Sequence, residues 1–564
     1  MSDAGPDKRG WLFGSGTDLV LGCGLGSMAI MVVQAGLGED GLARWVPGAL
    51  LVLLFSLPHY GATLVRVYED PADRRKYRVF SVGATLLVAV AFAASLYGHW
   101  VGSLLLTVYL TWSPWHYTGQ NYGISLMLAA RRGVVISSTT KRFVHASFTT
   151  SYLLTVLALH SAQPDGRYAP VSYGDSVFKL LPIGIPHDWV GVAIALIGVV
   201  YAVSTVVGVG GLVRGGRFRA AFPSLVLMAT QALWFTVPVP VRYWGLAGDG
   251  SIFLSIYTAY GFLWIAGCHA IQYLWITTYY GTESEQAVRV QPSAARRRLF
   301  FLVKATLMGY AVWILPALVF APGALGRLPH ESGLALMVAA VVNLHHFILD
   351  GAVWKLRDGR VARVLLRSRA DVQPDPKPDL GGPRVPWLRR SLQALGVSCL
   401  MYGAFAFWAG DFGFSEALQR GDFASSRQAL DRLAWIGRDG PSRHTQLGRR
   451  LAREGQRAAA LSAFQRSLRL APTARGFQSL GLLHEQALEW QLAATAYDSA
   501  LALQPDDVSA LFRAGRGWLE SGQPARAIPL LERAAGMAPD ENVIALTLAR
   551  ARREAGAQTQ RPVR

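Results

Sequence analysis

Residues 188–212 read DWVGVAIALIGVVYAVSTVVGVGGL, a run whose single charge, Asp188, stands at its start. An α-helix rises about 1.5 Å per residue, so about 20 apolar residues cross the hydrocarbon core of a bilayer. This run predicts a membrane span. Working outward from it, similar runs occur at 17–37, 45–66, 79–98, 101–129, 143–162, 220–239, 252–280, 299–321, 333–355 and 388–409. The expectation is an all-α chain: a polytopic transmembrane bundle of about eleven spans over 1–410, followed by a soluble domain over 411–564. Composition agrees, with 52% hydrophobic and only 16% charged residues, against roughly 25% charged in soluble domains.

The net charge of +19 suggests nucleic acid until its carriers are located. They cluster in alternate loops: Arg74, Arg75, Lys76 and Arg78; Arg131, Arg132, Lys141 and Arg142; Arg214, Arg217 and Arg219; Arg296, Arg297 and Arg298; then Lys355, Arg357, Arg360, Arg363, Arg367 and Arg369. The intervening loops are poor in basic residues, with Arg167 and Lys179 between the fifth and sixth runs. Basic loops stay in the cytoplasm, so the charge reports topology, and no groove-reading motif accompanies it. The N-terminus is expected in the cytoplasm of a bacterial-type inner or plasma membrane. An odd number of spans then makes 411–564 extracytoplasmic. Cys23, Cys268 and Cys399 all lie in apolar runs, which argues against a disulfide framework or a thiolate zinc site.

After residue 440 a period appears. Pro472, Pro505 and Pro539 recur, as do Gly448, Gly481 and Gly515, then Ala460, Ala493 and Ala527, then Phe464, Tyr497 and Leu531. Small residues permit two helices to approach, bulky ones fill the gap to the next repeat, and proline closes the second helix. The pattern resembles the tetratricopeptide repeat over 443–541, an α-solenoid unit. Residues 412–441 read as a degenerate leading repeat and 542–557 as a capping helix. Such arrays bind a protein or peptide partner.

Ionisable residues inside spans are costly and mark function. Four groups stand out: Pro58-His59-Tyr60; Pro114-Trp115-His116-Tyr117 with Gln120 and Asn121; Cys268-His269 with Gln272; and Asn343-Leu344-His345-His346 with Asp350. All lie in even-numbered spans, so they share a direction and a similar depth. His116 and Gln120, like His346 and Asp350, share a face at i,i+4, and His269 and Gln272 share one at i,i+3. A metal-bound imidazole needs an acceptor on its second nitrogen, which casts Gln120, Asn121, Gln272 and Asp350 as outer partners. His59, His116, His269 and one or both of His345 and His346 are the candidate ligands. Imidazole without thiolate suits iron, zinc or copper, and two facing histidines would also suit haem.

These motifs resemble the bacterial and archaeal membrane β-carotene 15,15′-dioxygenases, which form retinal at non-haem iron. His59 matches that family's first motif, His116 its second, and His269 the first of its later histidine pair. The second member falls on Tyr273, so the resemblance requires His345 or His346 as the fourth ligand. It implies a membrane-embedded iron oxygenase acting on a lipid-like substrate. Two alternatives are a polytopic glycosyltransferase with extracytoplasmic repeats and a non-enzymatic membrane scaffold. The first would need acidic residues outside, where only Glu39 and Asp40 are available; Glu69 and Asp70 fall on the cytoplasmic side.

Overall fold

The computed structural model describes residues 10–69, 76–96, 99–162, 171–173, 176–246, 259–283, 293–320, 333–354, 359–366 and 386–559. Arg74, Arg75, Asp70, Arg167, Lys355, Arg357, Arg367, Arg369 and the start of the eighth run, 252–258, lie outside them. Among the described residues the regular elements are helices, apart from two three-residue strands, Val171–Tyr173 and Ser176–Phe178. The chain divides into two compact units, one of Met1–Val171, Ser176–Pro316 and Leu336–Gly403, the other chiefly Ala404–Arg564.

Eleven uniform spans are not found. Among the described residues, four helices are long and apolar enough to cross a membrane: His187–Val213, Phe218–Tyr243, Ala294–Val319 and Leu334–Val353. A fifth is reached only if Ser15–Gly22 and Leu25–Leu37, bent by 56°, count as one span. Polarity and breaks explain the shortfall. The 33-residue helix His99–Arg131 carries Ser113, His116, Thr118, Gln120 and Asn121 along its middle. The run at 45–66 is broken by a π-helical stretch at Val52–Ser56, and Pro386–Phe407 contains Arg389 and Arg390.

The first unit buries polar side chains beside its apolar core and exposes apolar ones. Ser113, Asn121, Ser151 and Thr230 are fully buried, whereas Val192, Leu196, Val199, Val203 and Val206 of the most apolar helix are exposed. So continuous an exposed apolar helix face is of the kind that lipid accommodates.

One helix crossing positions the site. Pro58 has no N–H and its ring crowds the preceding turn. The wider π turn at Val52–Ser56 precedes the helix Leu57–Tyr68, which opens on that proline. This helix crosses Ala294–Val319 with the backbones touching. A Cβ on Gly61 would sit 1.7 Å from the Ala305 carbonyl oxygen, and one on Gly309 would sit 1.7 Å from that of Leu57. Ala305 and Gly309 are four apart, the small-residue spacing that lets helices approach closely in lipid.

The second unit contains helix pairs of tetratricopeptide type: Pro441–Arg453 with Arg457–Leu470, Ala474–Gln486 with Trp490–Leu503, and Val508–Glu520 with Pro524–Met537, closed by Asn542–Thr559. The leading segment forms the helix Phe423–Trp435 after the short Glu416–Arg420. The role expected for the bulky positions is corrected here. Phe464, Tyr497 and Leu531 pack onto Gly448, Gly481 and Gly515 of their own repeat, where an added Cβ would meet them at 2.6, 2.9 and 2.7 Å. The glycine therefore provides the room for the bulky side chain within each pair. Thr473 and Asp507 cap the following helices by accepting from the backbone N–H groups of Gly476 and Ala510.

Two outcomes follow from these contacts. Gly481→Ala should destabilise the repeat unit by about 1–3 kcal/mol, the usual cost of overpacking. Gly481→Ala with Tyr497→Leu should recover most of that loss, as read by thermal melting of a fragment starting near Ala404. Gly309→Val should force its helix away from Leu57–Tyr68. Crosslinking of cysteines placed across this crossing should then weaken, while the repeat unit's own melting is unchanged.

Candidate metal centre

Four helices of the first unit bring one histidine each to a common point. Leu57–Tyr68 supplies His59, His99–Arg131 supplies His116, Ala259–Glu283 supplies His269 and Leu334–Val353 supplies His346. One nitrogen from each ring can be chosen so that all four lie within 4.8 Å of one another. Imidazole–metal bonds are about 2.0–2.2 Å long, so nitrogens across an ion stand about 4–4.5 Å apart. The Nε2 atoms of His116 and His346 are 3.2 Å apart, the separation of neighbouring ligands. Ring centroids of His59 lie 4.2 Å from His346 and 5.0 Å from His269, with the pairs near perpendicular.

The cluster is dry. His59, His269 and His346 are 3%, 1% and 2% exposed. His59 Nε2 and both ring nitrogens of His269 are buried without a hydrogen-bond partner. Such groups are rare in folded proteins and each costs about 1–3 kcal/mol. Aromatic rings fix the imidazoles instead: Tyr117 stacks on His269 at 4.1 Å and Phe347 on His116 at 4.4 Å.

His345 does not join the cluster. Successive residues on a helix point about 100° apart, and its Nε2 turns away to the Thr85 hydroxyl at 2.7 Å. The choice between His345 and His346 falls on His346.

The outer partners also differ from expectation. Gln120 donates to Gln272 Oε1 at 2.5 Å and to the His269 carbonyl at 3.3 Å. Gln272 donates in turn to the Gly22 carbonyl, and Asn121 to Gln231 Oε1. These amides fasten helices together, and their reach to backbone and to one another takes them away from the ring nitrogens. Asp350 does approach the rings: its Oδ2 lies 3.5 Å from His346 Nε2 and 3.8 Å from His116 Nε2.

Three residues not singled out from sequence as partners complete the surroundings. The Thr63 hydroxyl lies 2.8 Å from His346 Nδ1, 2.7 Å from the Tyr273 hydroxyl and 3.1 Å from Asp350 Oδ1. Tyr273 donates to Asp350 Oδ1 at 2.7 Å, and Trp354 Nε1 donates to Tyr273 at 3.1 Å. The available signal was helical spacing. Thr63, Tyr273 and Trp354 each stand four residues after His59, His269 and Asp350.

No protein-family model matches the chain, and no curated protein matches it. Neither comparison shows the resemblance to the membrane dioxygenases. Solved structures of MamA show a limited likeness. "Crystal structure of MamA protein" is 20% identical, with 27% of this chain and 84% of that chain covered at a TM-score of 0.25. "MamA 41-end from Desulfovibrio magneticus RS-1" is 20% identical, with 27% and 92% covered at a TM-score of 0.22. The tetratricopeptide-like architecture stands on the helix pairing and glycine contacts of the chain itself.

Proposed function

We propose that this chain is a membrane-embedded metal-dependent enzyme of the oxygenase type, with His59, His116, His269 and His346 holding one ion, iron first among the candidates. The observation that carries the reading is the set of buried, partnerless nitrogens on His59 and His269, on rings that converge with His116 and His346 so that one ligand atom from each lies within 4.8 Å of the others. A cation satisfies several such nitrogens at once; a purely structural cluster would leave them unpaired. The all-nitrogen set without cysteine fits iron, zinc or copper.

Iron held in this way supplies dioxygen-dependent oxidation chemistry. The chain's residues do the rest: four helices fix the rings, Tyr117 and Phe347 restrict their rotation, and burial excludes water. The His346 Nδ1–Thr63 contact places the ring's other nitrogen toward the centre, as a ligand requires. The substrate class is lipid-like, because the cluster sits among helices whose outer faces are apolar. The glycosyltransferase alternative has less support, since Glu69 is tied to Lys304 Nζ at 2.6 Å. In this reading the repeats recruit a protein or peptide partner.

Metal analysis after purification and anaerobic reconstitution with iron tests the proposal. Wild type should retain about one ion per chain. His59→Ala, His269→Ala or His346→Ala should each lose most of it, whereas His345→Ala should retain it. Equal metal content in wild type and His269→Ala would overturn the proposal.

A further inference from the structure

The carboxylate of Asp350 departs from the part of an outer partner. Its Oδ1 is held by Tyr273 and Thr63 at 2.7 and 3.1 Å, and these two bonds turn Oδ2 toward the imidazoles. Oδ2, His346 Nε2 and His116 Nε2 form a triangle with sides of 3.5, 3.8 and 3.2 Å. The point equidistant from its corners lies about 2.0 Å from each, which is the length of a bond from an ion to imidazole nitrogen or carboxylate oxygen. The acceptor that orients a bound imidazole faces the nitrogen remote from the metal. Asp350 instead faces the Nε2 atoms that face each other, while the remote Nδ1 of His346 is taken by Thr63. Asp350 itself is only 5% exposed, so solvent offers little competition for Oδ2.

Resting on the metal-site reading above, we propose that Asp350 is a fifth protein ligand, through Oδ2, with Thr63 and Tyr273 as the residues that aim it. A hard oxygen donor beside four imidazoles favours a five- or six-coordinate ion such as iron over the four-coordinate preference of zinc. With five protein donors, the site would have room for a single small co-substrate such as dioxygen, and the lipid-like substrate would be held by the surrounding helices.

Cobalt(II) serves as the probe, because its visible bands strengthen as coordination falls from six or five to four. Full-length wild type, Asp350→Leu and Asp350→Asn are loaded with cobalt, and stoichiometry and spectra are recorded together. Leucine keeps the branched shape of the side chain, supplies no donor and leaves Thr63 and Tyr273 to bond each other. Wild type should show the weak bands of five or more ligands. Asp350→Leu should give bands several-fold stronger at its lowered occupancy. Asp350→Asn, which keeps a neutral oxygen, should shift band positions. This second variant decides the matter if the first binds no cobalt. Variants that bind cobalt more weakly with wild-type spectra would make Asp350 a positioning residue and overturn this proposal while sparing the four-histidine site. Wild type that binds no cobalt, iron or zinc would overturn both.

Discussion

Polar nitrogen buried among helices must be paired or be costly, and this condition shapes the first unit. Three ring nitrogens of His59 and His269 lack partners, a penalty of about 1–3 kcal/mol each when nothing satisfies them. The fold spends close helix contacts on bringing those rings together. Leu57–Tyr68 reaches its position through backbone contact at Gly61 and Gly309, following a π-helical stretch of the kind that is frequent at functional sites. A side chain at either glycine would move His59 off the common point. The hydroxyls of Thr63 and Tyr273 are equally committed, since both bond Asp350.

The sequence made some of this legible and concealed the rest for physical reasons. The tetratricopeptide pattern was readable because each repeat solves the same local packing problem, so Gly448, Gly481 and Gly515 recur in register. The partner of those glycines was harder to assign, because periodicity does not distinguish a contact within a pair from one between pairs. Span counting failed where it met the site. A helix such as His99–Arg131 earns its place in the bundle by a polar inner face, and that face removes the uniform apolar window that counting relies on. His59, His116, His269 and His346 were visible as polar exceptions in apolar runs. The separation of His346 from His345 depends on helix rotation, which adjacent residues in a sequence do not reveal.

Asp350 shows a further limit. Its i,i+4 relation to His346 brings the two side chains together. Which oxygen faces which nitrogen depends on Thr63 and Tyr273, two residues from other helices far away in the chain. Convergence of distant hydroxyls on one carboxylate is a tertiary fact. The amides Gln120 and Gln272, at i,i+4 and i,i+3 from their histidines, had a different outcome, because they bond each other and neighbouring backbone carbonyls, while Asn121 bonds Gln231.

The two units therefore divide the labour by chemistry. Repeats built from alanine, glycine and capped helices supply surface; the first unit supplies the buried donors. The central claim is that those donors converge on one ion. Anomalous difference maps from crystals of the full chain, recorded on both sides of the iron, zinc and copper edges, test it most directly. The account predicts one peak for one element, about 2.0–2.2 Å from a nitrogen of each of His59, His116, His269 and His346. Maps with no peak, and with the four rings hydrogen-bonded to one another or to ordered water, would contradict it.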